Sequence, residues 1–365
     1  MALNRRIGVI GSAIRVPADA NGQSLEELLY DLVQSALDDA NLTIENIDGI
    51  VVAANDQFDG RAISVMMASG SVGGVDRDIL STPSASEHAF VMGVMRVASS
   101  QYRTQLIVSW SPTEAHSLSE AERLAADPYF HRRLPLDDLA SFSLQASALK
   151  GQVHDVEVIA SEFDKARGPS GSYDANRSMI LPGMVTPPVT GAVAMIVADS
   201  DFIQEHGLSS IAWLKGMGWA TEPGFLGDRD LSRAPALEAA RDHAYGEASI
   251  THPRGAFDII EIADPTPYQS LIALDALGLS RRNEWMKDVA AGTFAPDGPV
   301  RFNPSGGARA ANPVYCTGLR SIAEAADQVR GVSKFQNGPV NTALAHAASG
   351  FAMQYQSVIV FGGQN

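Results

Sequence analysis

The chain has 365 residues, 45% of them apolar, and 27 Lys and Arg stand against 42 Asp and Glu for a net charge of −15. That length exceeds most single cores and points to two domains or one duplicated domain. The acidic balance argues against nucleic acid or an anionic membrane surface as the main partner.

The N-terminus "MALNRRIGVIGSAIRV" runs almost directly into a strand-like stretch, with no apolar leader and cleavage site, so a cytoplasmic protein is expected. No run reaches the roughly 18 apolar residues of a membrane span. Short continuous apolar runs, the pattern of buried parallel strands, follow at 7–14, 47–54, 105–110, 191–198, 257–263 and 357–361. Helical patterns lie between them. "SLEELLYDLVQSALDDAN" (24–41) opens with Ser24 and Glu27 in capping-box spacing, and 87–101, 236–248 and 318–331 are of the same kind. Strands alternating with helices predict an α/β fold. The lone cysteine, Cys316, excludes an intrachain disulfide.

The chain also repeats itself. "ALDDANLTIENIDGIVVAAND" (36–56) is similar to "AYGEASITHPRGAFDIIEIADP" (244–265), with equal spacing from Ala36 to Thr43 and from Ala244 to Thr251. A second pair, "STPSASEHAFVMGVMRVAS" and "FNPSGGARAANPVYCTGLRSIAEAAD", runs strand, Pro-Ser turn, helix in both copies. A period near 200 residues describes a duplicated domain rather than a solenoid. The expected halves are 1–205 and 206–365, with a seam near 198–210. An inserted cap or loop region at about 113–187 interrupts the first half.

Three segments, in order, resemble the thiolase superfamily, and specifically its sterol-carrier-protein-type branch. "RFNPSGGARAANPVYCTGLRSIAEAADQVRG" resembles the N-x-S-G-G…G-H-P…T-G stretch. "FDIIEIADPTPYQSLIALDALGL" resembles the D-x-x-E-x-H-D-C-F segment. "ALAHAASGFAMQYQSVIV" resembles the glycine-bearing C-terminal hairpin. The resemblance implies a five-layered α-β-α-β-α fold of two similar mixed-sheet halves. It also implies acetyl-CoA acetyltransferase-like chemistry on acyl-CoA thioesters, with coenzyme A as substrate or ligand and no tightly bound cofactor.

The departures bear on the chemistry. Where the family carries its nucleophilic cysteine, this chain has Pro83 or Ser84, in "STPSASEHAF". Ser84 is read as a helix N-cap or as a replacement nucleophile. The first histidine position holds Ala263, with Asp264 beside it, and the G-H-P histidine is Asn312. His346 lies closest to the C-terminal acid/base. Asn312 cannot titrate but can donate to a developing oxyanion. Tyr268 and Tyr315 lie near the lost histidines and carry phenols. Cys316 falls four residues beyond Asn312, where a buried small hydrophobe is expected. Ser84, Asp264, Asn312 and His346 are expected to converge, with Asn312 and His346 facing one cavity.

Arg132 and Arg133, in the inserted region where thiolases bind the coenzyme A nucleotide, are the candidate ligand-binding cations, with Ser305 and Gly306 of "NPSGG" beside them in role. The acidic balance speaks against coenzyme A unless such basic residues cluster. No phosphate-loop motif is present, "GSVGG" (70–74) reads as a turn, and the eight histidines show no metal-ligand spacing. Two functions remain open. One is an enzyme, either an acyltransferase of unusual mechanism or a retro-aldol carbon–carbon lyase working with a zinc-ribbon/OB-fold accessory protein. The other is a non-catalytic subunit that supports a cysteine-bearing thiolase chain. A homodimer paired through the strand near 78–84 is expected in either case.

Overall fold

The structure, a computed structural model, describes residues 6–18, 23–60, 62–111, 118–167, 179–295 and 298–363. The first five residues, on which the expectation about a leader rests, and the start of the inserted region at 113 lie outside that set. Among the described residues, ten strands make one mixed sheet. The first five are β1 (Ile7–Arg15), β2 (Gly49–Ala53), β3 (Asp78–Thr82), β4 (Thr104–Trp110) and β5 (Ala192–Asp199). The second five are β6 (Ala212–Thr221), β7 (Ile259–Ile262), β8 (Arg301–Phe302), β9 (Thr342–Ser349) and β10 (Tyr355–Gly362).

The strand order is β3-β2-β4-β5-β1-β6-β10-β9-β7-β8. Outward from the β1–β6 seam, equivalent strands follow one another in the same order on both sides. β2 runs parallel to β3 and β4, as β7 does to β8 and β9. β4–β5–β1 and β9–β10–β6 are antiparallel. The halves are not separate sheets. They join edge to edge through Gly8–Trp213 and Val9–Ala212.

Side-chain alternation along these strands builds three cores. In the first half, Ile50, Val52, Leu106 and Val108 pack outward onto the amphipathic helix Leu25–Asp39, whose Ser24 and Glu27 do form a capping box. In the second half, Leu344, Val358 and Val360 pack outward beneath the helices Pro235–Ala248 and Pro267–Ala276. The inward residues, Val51, Ile107, Ala343, Ala345 and Ile359 among them, enclose the helices Ser86–Ala98 and Thr317–Arg330 between the two sheet halves. The order is therefore helix, sheet, helix, sheet, helix.

The apolar-run reading passes over β6 and β9. β6 ("AWLKGMGWAT") carries glycines because the Pro235–Ala248 helix lies directly on it. A Cβ at Gly216 or Gly218 would strike the carbonyl of Ala244 or Ala240. β9 ("TALAHAAS") is alanine-rich for the same kind of reason: Ala347 Cβ lies 3.1 Å from where a Cβ on Gly318 would stand. The inserted region contributes the helices Leu118–Ala125, Asp138–Lys150 and Val156–Ala166.

Candidate active site

The two middle-layer helices start side by side. Ser86 Oγ accepts a 3.0 Å hydrogen bond from the Leu319 backbone N–H. One residue further along the first helix, Glu87 is 1% exposed. Ser349, the last residue of β9, donates its hydroxyl to Glu87 Oε1 at 2.6 Å. The other carboxylate oxygen lies against Gly318, where any side chain would collide with it. A helix start, a second helix start and a hairpin thus fix one buried carboxylate.

A cavity of about 470 Å³ opens at this junction. Glu87, Asp264, Asn312, Tyr315, Thr317 and Ser349 line its inner end. From the inserted region come Ser119, Glu122, Asp137 and Asp138, with the apolar surfaces of Leu118, Leu139 and Phe142. No cysteine or histidine occurs among the described residues that line it.

Each polar group is held. Asn312 is set by a backbone bridge to Pro188 and by the Val189 N–H, which donates to its carbonyl at 3.0 Å. Thr317 donates to Asn312 Oδ1 at 3.1 Å, which leaves the amide N–H pair as the free end. Tyr315 sits at φ +79°, a conformation rare for a side chain of its size. Its phenol donates to the Ser84 carbonyl at 2.7 Å, and burial together with Glu87, Asp59 and Asp56 drives its pKa upward. Asp264 accepts from the Ala308 N–H at 2.8 Å and forms an ion pair with Arg167, so both its oxygens are engaged.

The carboxyls from the inserted region differ. Glu122 accepts from the Asp138 N–H at 3.0 Å. Burial first, and then the charge of Asp138 and Asp137, raises its pKa well above the ordinary carboxylate range. Asp138 is raised by burial and by Asp137. Asp137 caps its helix through the Ala140 N–H at 2.7 Å and accepts from Ser119 at 3.0 Å. Glu122 is thus a buried carboxylic acid at neutral pH, a proton donor rather than a base. No cluster of three or more His, Cys, Asp or Glu side chains among the described residues has the geometry to hold a metal ion.

Of the residues singled out from sequence, Asp264, Asn312 and Tyr315 share this cavity, and Ser84, His346, Tyr268, Cys316, Arg132, Arg133, Ser305 and Gly306 do not line it. Ser84 lies beside it without lining it. Its hydroxyl is 2.5 Å from Thr82 Oγ1, and the N-cap of the helix is Ala85, so Ser84 is not the cap. His346 does not face the cavity with Asn312. Alternation along β9 puts Ala345 and Ala347 in the middle layer and His346 on the opposite face with Leu344. There it is fully buried, 2.8 Å from Gln356 Oε1, and desolvation lowers its pKa to about 4.

Arg132 and Arg133 are exposed and line no part of the cavity, and Arg132 donates to the Ala126 carbonyl at 3.1 Å. Ser305 is buried against Glu261, to which it donates from its backbone N–H at 2.9 Å and its hydroxyl at 2.7 Å. Gly306, at φ +84°, lines a separate cleft. Tyr268 packs in the second-half outer core. Cys316 is fully buried, with Sγ 3.7 Å from the Gly191 carbonyl, and burial pushes its thiol up to about 12.

Sequence reasoning missed Glu87. Its signal is a lone acid in the first turn of the otherwise apolar "AFVMGVM" helix, where a charge has no reason to be buried unless something holds it.

Residues 222–363 match the family described as thiolase C-terminal domain-like. Over 148 residues the chain is 30% identical to an acetyl-CoA acetyltransferase of Methanothermobacter thermautotrophicus, covering 40% of this chain and 38% of that protein. It is 30% identical over 172 residues to sterol carrier protein 2 of Rattus norvegicus and 29% identical over 167 residues to that of Homo sapiens, covering 44% of this chain and 30% of each. These matches therefore span well under half of each relative's own length. Among solved structures, the Ltp2-ChsH2(DUF35) aldolase superposes with a TM-score of 0.77 at 17% identity, over 98% of both chains. A monomeric SCP2-thiolase like protein type 1 from Mycobacterium smegmatis gives 0.70 at 16% identity, over 98% of this chain and 77% of that one. Human mitochondrial 3-ketoacyl-CoA thiolase gives 0.68 at 14%, over the full length of both. At these identities the structural likeness shows the fold.

Proposed function

From the premise that the chain belongs to the thiolase superfamily, we propose that it cleaves a carbon–carbon bond in a β-hydroxyacyl-CoA by a retro-aldol route, without an acyl-enzyme. One observation carries this reading. The junction where the family places its thiol retains an open, polar cavity, but the described groups lining it are carboxyls, an amide, a phenol and hydroxyls. Acyl transfer through an enzyme-bound ester requires an activated nucleophile. The Ser84 hydroxyl meets the Thr82 hydroxyl rather than a base, and Cys316 is buried beside Gly191 instead.

A retro-aldol cleavage requires a base for the β-hydroxyl and donors for the thioester enolate. Glu87 is the base. Asp264 is neutralised by Arg167 and Glu122 is held protonated, whereas Glu87 carries only the Ser349 hydroxyl bond. As Glu87 takes the hydroxyl proton, the Cα–Cβ bond breaks. Its electron pair passes into the enolate and the β-carbon leaves as an aldehyde or ketone. The Asn312 amide N–H supports the enolate oxygen. A protonated carboxyl on the insertion side, Glu122 or Asp138, returns a proton to the α-carbon, and a shortened acyl-CoA results. The acyl-CoA substrate follows from the family, and an accessory partner accords with the two components of the Ltp2-ChsH2(DUF35) aldolase to which the chain is structurally similar.

The absent thiol and imidazoles favour a second reading, a silent subunit beside an active thiolase chain. Incubation with a panel of β-hydroxyacyl-CoA thioesters, alone and with proteins that co-purify, separates the two. Release of a shorter acyl-CoA and a carbonyl product is expected. Tight acyl-CoA binding without turnover in every combination would leave the subunit reading.

A further inference from the structure

A second cleft lies across the short helix Gly307–Ala310 from the large cavity. It encloses about 300 Å³. Three arginines meet there, Arg167, Arg301 and Arg309, in a chain with net charge −15. Arg167 and Arg309 are committed to the carboxylates of Asp264 and Asp164. Arg301 is not. Its guanidinium donates to the carbonyls of Asp258 at 3.1 Å, Asn337 at 2.5 Å and Pro339 at 3.1 Å. Those three bonds fix the fork in place and use three of its five N–H groups, leaving one on each terminal nitrogen and a full positive charge.

Two further features mark the cleft as built to receive something. Phe302 and Phe335 line it, and the Arg167 guanidinium already stacks 5.0 Å over the Phe302 ring. Gln328 also lines it. That residue is 1% exposed and its side-chain oxygen is buried without a partner. An orphaned buried acceptor is costly unless a donor is supplied. Cation, aromatic wall and acceptor together describe the complement of a ring that carries an oxyanion and an N–H or O–H group.

We propose that this cleft binds a small ring-bearing oxyanion, held by Arg301, packed against Phe302 and Phe335, and satisfying Gln328. A nucleoside monophosphate and a hydroxyl-bearing aromatic carboxylate share that chemistry. The volume suits either, at the small end of known ligand pockets. The site stands apart from the lyase reading, because it requires no turnover. Its wall Arg167 is bonded to Asp264 of the large cavity, so occupancy is placed to be felt there.

The test is calorimetric titration of the full chain with AMP, 4-hydroxyphenylacetate and inorganic phosphate as three separate arms. Saturable binding of AMP or 4-hydroxyphenylacetate at least tenfold tighter than phosphate supports the site, and the tighter of the two names its source. Arg301→Met is expected to weaken that binding tenfold or more. Because Arg301 also ties down three carbonyls, Phe335→Ala, at a half-exposed position, serves as the second variant with the same expected direction. Equal binding of phosphate and AMP, or no saturable binding of either organic anion, overturns the proposal. So does binding that both variants leave intact.

Discussion

Cys316 stands one residue before a buried helix, and its setting makes it inert. The thiolate is the reactive form of cysteine, and burial, which outweighs the Arg320 charge and the nearby backbone N–H groups, holds the proton on sulfur. Alkylating reagents should therefore leave the folded protein unmodified at pH 8 and label it only after denaturation, as intact mass would show. Labelling of the native chain on the timescale of a free thiol would contradict the burial. Glu87 is the opposite case. It is equally buried, but Ser349 donates to it and the cavity opens beside it. The sequence displayed the cysteine because it is unique in the chain. It hid the glutamate because nothing along the chain says that the start of the Ser86–Ala98 helix, the start of the Thr317–Arg330 helix and the end of β9 meet.

The two middle helices touch at their first turns, and Gly318 makes that contact possible. Its backbone is ordinary helix, so Ala at this position is favoured by roughly 1 kcal/mol of intrinsic propensity. The added methyl would nonetheless collide with the Glu87 carboxylate and come within 3.1 Å of Ala347 Cβ. Gly318→Ala is expected to leave the far-ultraviolet circular dichroism unchanged while lowering turnover by about tenfold or more, because a misplaced base costs rate. Unchanged activity would show that Glu87 is not the group that matters. Elements of this kind were partly legible. Apolar runs and capping residues located the core strands and the helix Leu25–Asp39, and the internal repeat implied two alike halves. The turn from β9 into the hairpin was legible only as to position. His346 was placed on the right strand but the wrong face, because a one-residue difference in register reverses every side chain. Ser349, three residues on, has the inward parity.

At the scale of the whole molecule, the middle layer stores acids. Burial raises Glu261 to about 8, Glu324 to about 7 and Asp327 to about 6. The folded chain keeps these protons where the unfolded chain has lost them, so each group lowers stability by about 1.4 kcal/mol per pH unit between its unfolded and folded values. His346, lowered to about 4, acts in the opposite sense below its ordinary value near 6.5 and is silent above it. The urea midpoint is therefore expected to fall between pH 6.5 and 8, and Glu261→Gln should flatten the fall. A midpoint that rises over that range would refute the assignment. The sheet also ends on β3, whose outer edge pairs with no strand among the described residues, and exposed Ile63, Met66, Met67 and Val75 precede it along the chain. Such an edge is a pairing surface, so sedimentation at micromolar concentration should report at least a dimer, and a clean monomer would count against it. In the proposed lyase, this cavity breaks a carbon–carbon bond with a carboxylate and no thiol. The most direct measurement compares wild type, Glu87→Gln and Cys316→Ser on a β-hydroxyacyl-CoA, reading the thioester product and the intact protein mass in the same sample. A shortened acyl-CoA is expected, lost by about 10²-fold or more in Glu87→Gln and kept in Cys316→Ser, with no acyl adduct on the chain. An acyl adduct on the protein, or turnover that survives in Glu87→Gln, would contradict it.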